Sequence, residues 1–136
     1  MSTTMTLDIL TPERSVCCVE ADIVIARALD GELGVLPNHA PLIVALDIAP
    51  LRYKKDGVEH YVAVASGFME VKDNRISVLA PAAETEAEVD FVRAESAKER
   101  AERRIAEHAP DTDVRRAELA LRRALMRLKI HEFVRR

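Results

Sequence analysis

Pro81-Ala82-Ala83-Glu84-Thr85-Glu86-Ala87-Glu88 divides the chain, because the hydrophobic pattern follows different periods on its two sides. Before it, short apolar runs are punctuated by turn residues, as in an all-β fold. After it, almost every residue as far as Glu107 is a strong helix former, rich in Ala, Glu, Arg and Lys. Thr85 and Glu88 have the spacing of a capping box, which predicts a helix starting at Thr85, with Glu86, Glu88 and Asp90 at the positive end of its dipole. The expected organisation is a β-module over residues 1–84 and a helical hairpin over residues 85–136, with a hinge at residues 81–88.

On the β side, Met5, Leu7 and Ile9 alternate with polar neighbours, and residues 15–19 and 21–29 read as strands ending at Asp30-Gly31. Residues 42–46, 50–53, 59–65, 68–71 and 76–80 follow as strands, with turn chemistry at Asp56-Gly57, Ser66-Gly67 and Asp73-Asn74. Strands so short and regularly spaced predict a flattened barrel or a sandwich, with no helix before residue 85.

On the helical side, Pro110 ends the first helix and Asp111, Thr112 and Asp113 offer oxygens to cap a second, expected over residues 113–132. Val114, Ala117, Leu121, Leu125 and Leu128 form one seam along it. Ala94, Ala97, Ala101 and Ile105 form the matching seam on the first helix, small residues against larger ones. Such a thin seam barely offsets the entropy of ordering the hairpin, which is therefore expected to be marginal alone.

The 136 residues are 49% hydrophobic, 32% charged and 4% aromatic, with no Trp, so the chain can hold one ordinary core plus an appendage rather than a deep ligand pocket. Residues 1–84 carry 7 Lys/Arg against 12 Asp/Glu, and residues 85–136 carry 13 against 11, an asymmetry that hints at different partners for the two parts. No apolar run approaches the ~20 residues of a membrane span, and the first residues lack the features of a secretory signal, so a cytosolic protein is expected. Adjacent Cys17 and Cys18 do not suit a zinc site, and in a strand only one of them can face the core. His39, His60, His108 and His131 are dispersed, neither Cys lies in a nucleophile motif, and residues 31–34 lack the ending of a phosphate loop. The reading is non-catalytic, with no metal site.

The arginines carry more information. Asp90, Arg93 and Arg100, extended by Arg104, share a face of the first helix, and Arg116, Arg123 and Arg127 share a face of the second. Two such rows can clamp a polyphosphate, meet an acidic protein surface, or form a solvated face laced with Glu88, Glu95, Glu99 and Glu118. Interspersed glutamates and scarce aromatics argue against nucleic acid.

Gly31-Glu-Leu-Gly-Val-Leu-Pro-Asn-His-Ala-Pro-Leu-Ile43, Val64-Ala-Ser-Gly-Phe-Met-Glu-Val71 and Arg116-Ala-Glu-Leu-Ala-Leu-Arg-Arg-Ala124 resemble the epsilon subunit of bacterial proton-translocating ATP synthases, and the likeness covers essentially the whole chain. The resemblance implies an N-terminal β-sandwich of about ten strands and a C-terminal helical hairpin. It further implies a central-stalk subunit, peripheral on the cytoplasmic face of the bacterial plasma membrane, that binds the gamma subunit and the ring of c subunits. In this family the hairpin restrains ATP hydrolysis by extending towards the alpha and beta subunits. The loop from Glu32 through His39 would rest on the c-ring, and Arg115, Arg116, Arg122 and Arg123 would meet an acidic loop of the catalytic subunit.

Some members of the family bind ATP through Ile/Leu-Asp-x-x-Arg-Ala, which here reads Val89-Asp-Phe-Val-Arg-Ala94. The positions carried over are Glu84, Asp90, Arg93, Arg100, Arg123 and Arg127, with ATP as a regulatory ligand rather than a required cofactor. The alternative is the same stalk role without a nucleotide, the arginines contacting only acidic partner subunits.

Overall fold

The computed structural model describes residues 3–135. Eight strands, β1 (Met5–Leu10), β2 (Ser15–Ala21), β3 (Ile23–Ala28), β4 (Gly31–Val35), β5 (Leu42–Lys55), β6 (Val58–Lys72), β7 (Arg75–Leu79) and β8 (Ala83–Thr85), precede two helices, α1 (Phe91–Glu107) and α2 (Val114–Arg135). The strand order is β2-β1-β7-β6-β5-β3-β4, with β8 also on β6. All pairings are antiparallel except β1 with β7.

The architecture is the expected β-sandwich, open rather than closed, followed by a helical hairpin. It differs from expectation in its two long strands. Residues 42–46 and 50–53 are arms of the single strand β5, and residues 59–65 and 68–71 are arms of β6. The sequence breaks mark a change of face rather than a turn. Leu42, Val44 and Leu46 face the core in one arm of β5, and Leu51 and Tyr53 in the other. In β6 the inward residues switch from Val62 and Val64 to Met69 and Val71. Because side chains alternate strictly along a strand, this change of parity requires a local twist. Ser66 (φ 69°) and Gly67 (φ 108°) supply it. The ribbon thereby presents apolar side chains to one core from both layers, and counting its arms separately turns eight strands into ten. Pro50 is tolerated because the β3–β5 ladder is interrupted between Ile25 and Ala28, opposite the stretch that contains it.

Asp56-Gly57 and Asp73-Asn74 make the predicted hairpins, both residues of each pair having positive φ, as type I′ turns require. Strand β4 is an addition. Gly31 starts it directly after the Leu29-Asp30 turn, so only residues beyond Val35 remain loop in the segment expected to rest on the c-ring.

Helix α1 starts six residues later than the capping-box reading placed it. Thr85 ends β8, paired with Val62, and Glu88 Oε1 accepts from the Thr85 amide and hydroxyl, both at 3.0 Å. The box closes a turn, not a helix. The helix is capped instead by Asp90, which accepts from the Arg93 amide at 3.0 Å. Asp113 caps α2 through the Arg116 amide, as expected, but α2 runs on to Arg135 rather than ending at Glu132.

The helix–helix seam is smaller than predicted. Ala94, Ala101, Ala117 and Ala124 are buried, whereas Leu125 is 45% exposed. The larger apolar side chains of α2 serve a second face instead. Met126 and Ile130 are buried with Ala63 and Val89, backed by Ile48, Tyr61 and Phe91, so α2 lies on the outer surface of the β5–β6 ribbon. Tyr61 stacks on Phe133 at 5.0 Å, and Phe91 meets His131 at 4.3 Å.

Candidate functional site

A cavity of about 760 Å³ opens where the β1–β2 turn, the β7–β8 segment, the start of α1 and the middle of α2 converge. Glu84, Asp90, Arg93, Arg100 and Arg127 line it, five of the six positions carried over from the family motif. Glu84 comes from β8, and Asp90 and Arg93 from the first turn of α1. Arg100 lies two turns on, and Arg127 reaches across from α2. Arg127 Nε donates to Glu84 Oε1 at 2.6 Å, with both side chains about a quarter to a third exposed, a short charge-assisted bond tying helix to sandwich. Asp90 carries out a backbone task as N-cap and still lines the cavity.

Arg123, the sixth position, lies outside this cavity. It lines an adjoining groove of about 590 Å³ between the helices, together with Arg104 and Arg116. Arg100 and Ala97 line both spaces, which therefore adjoin. Among the described residues, none of Arg93, Arg100, Arg104, Arg116 and Arg123 enters an ion pair. Five unpaired guanidiniums beside two adjoining spaces suit a polyanion, because each fork has donors to spare for phosphate or carboxylate oxygens.

Sequence reasoning missed four polar lining residues, Thr11, Glu13, Arg14 and Glu88. Arg14 Nη2 lies 2.8 Å from Glu88 Oε2. The bonds from Thr85, then Arg14, hold the Glu88 carboxyl below its ordinary pKa. Nothing in the spacing of residues 11–14 signals that this turn sits beside the hairpin.

The expected partner-contact residues are scattered. Glu32 accepts from Arg52 at 2.9 Å, and His39 Nδ1 lies 2.7 Å from the Ala40 carbonyl. Arg115 and Arg116 are exposed on α2. Arg122 is engaged within the molecule, donating to Asp47 of β5. No group of three or more potential metal ligands occurs among the described residues, and none of their helices is long and apolar enough to cross a membrane.

Two family models match in succession, ATP synthase Delta/Epsilon chain, beta-sandwich domain, over residues 4–86, and ATP synthase Delta/Epsilon chain, long alpha-helix domain, over residues 87–132. The chain is 49% identical over 132 residues to the ATP synthase epsilon chain of Desulforamulus reducens, covering 97% of this chain and all of that one. It is 51% identical over 126 residues to the epsilon chain of Symbiobacterium thermophilum, covering 92% and 91%. Among solved structures, a chain of the Euglena gracilis mitochondrial ATP synthase, in an assembly described as OSCP/F1/c-ring, has the same fold, with a TM-score of 0.80 at 21% identity over 97% of this chain and 83% of that chain. With both halves matched in order and near-half identity over almost its full length, the chain belongs to the ATP synthase epsilon-chain family, non-catalytic subunits of that complex.

Proposed function

We propose that this chain is a rotor subunit of a bacterial ATP synthase, coupling the gamma subunit to the c-ring, whose hairpin restrains ATP hydrolysis when it leaves the sandwich and is held down by ATP. It would work peripherally, at the cytoplasmic face of the membrane. The observation that carries the ATP reading is the convergence of Glu84, Asp90, Arg93, Arg100 and Arg127 on one cavity bounded by both parts of the molecule. A ligand that binds only the closed arrangement stabilises it by mass action, by about 2.7 kcal/mol at a hundredfold excess over Kd.

Two further features support the stalk role. Ile43, Phe68 and Leu79 are 67%, 60% and 58% exposed on neighbouring strands, and Phe68 is paired with Leu79. Such an apolar face suits a protein partner, here assigned to gamma. The exposed Arg115 and Arg116, with Arg122 and Arg123 once the hairpin departs, would meet an acidic loop of the alpha and beta assembly.

Isothermal titration of the intact protein with ATP tests the nucleotide reading. Saturable heat is expected, and it should be lost in Arg93→Ala and Arg127→Ala. Absence of heat, or binding indifferent to both substitutions, would leave the arginines to acidic partners alone.

A further inference from the structure

The β-sandwich contributes Thr11, Glu13 and Arg14 to the cavity from the β1–β2 turn, and Glu84 from β8. Glu88, on the linker, adds another carboxylate. This side of the cavity is thus lined by the carboxylates of Glu13, Glu84 and Glu88 and repels phosphate, while the cations Arg93, Arg100 and Arg127 all belong to the hairpin. Arg14 is the single exception among the lining residues. Its turn is closed by two hydrogen bonds: the Thr11 amide donates to the Arg14 carbonyl at 3.0 Å, and the Arg14 amide donates to the Thr11 hydroxyl at 3.3 Å. The guanidinium is held at the cavity by Glu88, whose carboxylate competes for the same donors that a phosphate would use.

We infer that Arg14 is a ligand-binding residue of this cavity, exchanging Glu88 for a phosphate oxygen of the bound nucleotide and so placing one guanidinium of the β-sandwich on a ligand whose other cationic contacts all come from the hairpin. The assignment rests on the nucleotide reading above. A ligand contacted by Arg93, Arg100 and Arg127 alone would brace α1 against α2 without fastening either to the sandwich by a cation. With Arg14 the same anion bridges both parts, so occupancy reports directly on docking.

The test uses ATP titrations of the full chain and two substitutions with opposite expected signs. Arg14→Ala should weaken binding about tenfold, the order expected for losing one charge-assisted bond. Glu88→Gln should tighten binding, because it frees Arg14 and removes a negative charge, while its amide oxygen can still accept from Thr85. If Arg14 acts only as a tie to Glu88, breaking the tie from either end weakens binding alike, and that result overturns the assignment. Arg14→Ala binding as tightly as the unsubstituted chain overturns it too, while leaving the nucleotide reading standing. No binding by the unsubstituted chain overturns both.

Discussion

Single residues fix the two sharpest features of the β-sandwich. Gly67 sits where β6 changes face, and a Cβ there would lie 2.1 Å from the Leu79 carbonyl oxygen and 2.8 Å from Ala80 Cα, both backbone atoms that cannot step aside. Its φ of 108° adds strain for any other residue. Gly67→Ala should therefore cost about 3 kcal/mol or more, read as a lower urea midpoint. The neighbouring cysteines separate as strand alternation requires, Cys17 packing against the core and Cys18 exposed. Burial pushes the Cys17 thiol up, against the opposing hydrogen bond to Tyr53, whose own hydroxyl is pushed up to about 12, chiefly by burial. A group with a raised pKa stays protonated, and a thiol alkylates only as thiolate. At about pH 8, iodoacetamide should label Cys18 first and Cys17 slowly, as peptide mass spectrometry would show.

At the scale of elements, the hairpin is held by contacts of two kinds. The helices meet through alanines, which allow close approach but bury little area. Docking on the sandwich rests on Met126 and Ile130, on the Tyr61–Phe133 stack, and on the Arg127–Glu84 and Arg122–Asp47 ties. Ile130 is fully buried, so Ile130→Ala should cost about 2–5 kcal/mol, most of it from docking. Hydrogen exchange should then quicken across residues 91–135 while the strands stay protected; uniform loss of protection would show instead that sandwich and hairpin unfold as one. The face responsible was present in the sequence as Met126, Ile130 and Phe133 at i, i+4 and i+7. It was obscured by the leucines at 121, 125 and 128, whose equally good period drew the seam to a side of the helix where Leu125 meets solvent.

On the scale of the whole molecule, the two parts present different surfaces. The sandwich shows an apolar face around Ile43, Phe68 and Leu79, while the hairpin carries the unpaired arginines. A charge placed at Phe68 meets no core atom, because the side chain points outward, yet it would be buried in any partner seated there. Phe68→Asp should leave the melting temperature within a few degrees and sharply reduce co-purification with the gamma subunit. Unchanged co-purification would overturn the proposed assignment of this face to gamma. Since Phe68 lines neither the cavity nor the adjoining groove, this substitution should leave nucleotide binding intact and so separates assembly from regulation.

The sequence by itself determined the division into sandwich and hairpin, the tight turns at Asp56-Gly57 and Asp73-Asn74, the inward face of β1, and the N-cap of α2, because each rests on local chemistry or on short-range periodicity. It also pointed to the arginine rows, since helical spacing alone sets which residues share a face. Tertiary structure decided the rest. Thr85 and Glu88 satisfy each other as a capping box would, but pairing of residues 83–85 with β6 claims the backbone first and delays the helix to Asp90. Arg123 and Arg127, one helical turn apart, are sent to different spaces by the way α2 lies on the ribbon. Arg14 enters the cavity only because β1 and β2 fold against a linker some seventy residues away, a proximity that no local pattern encodes.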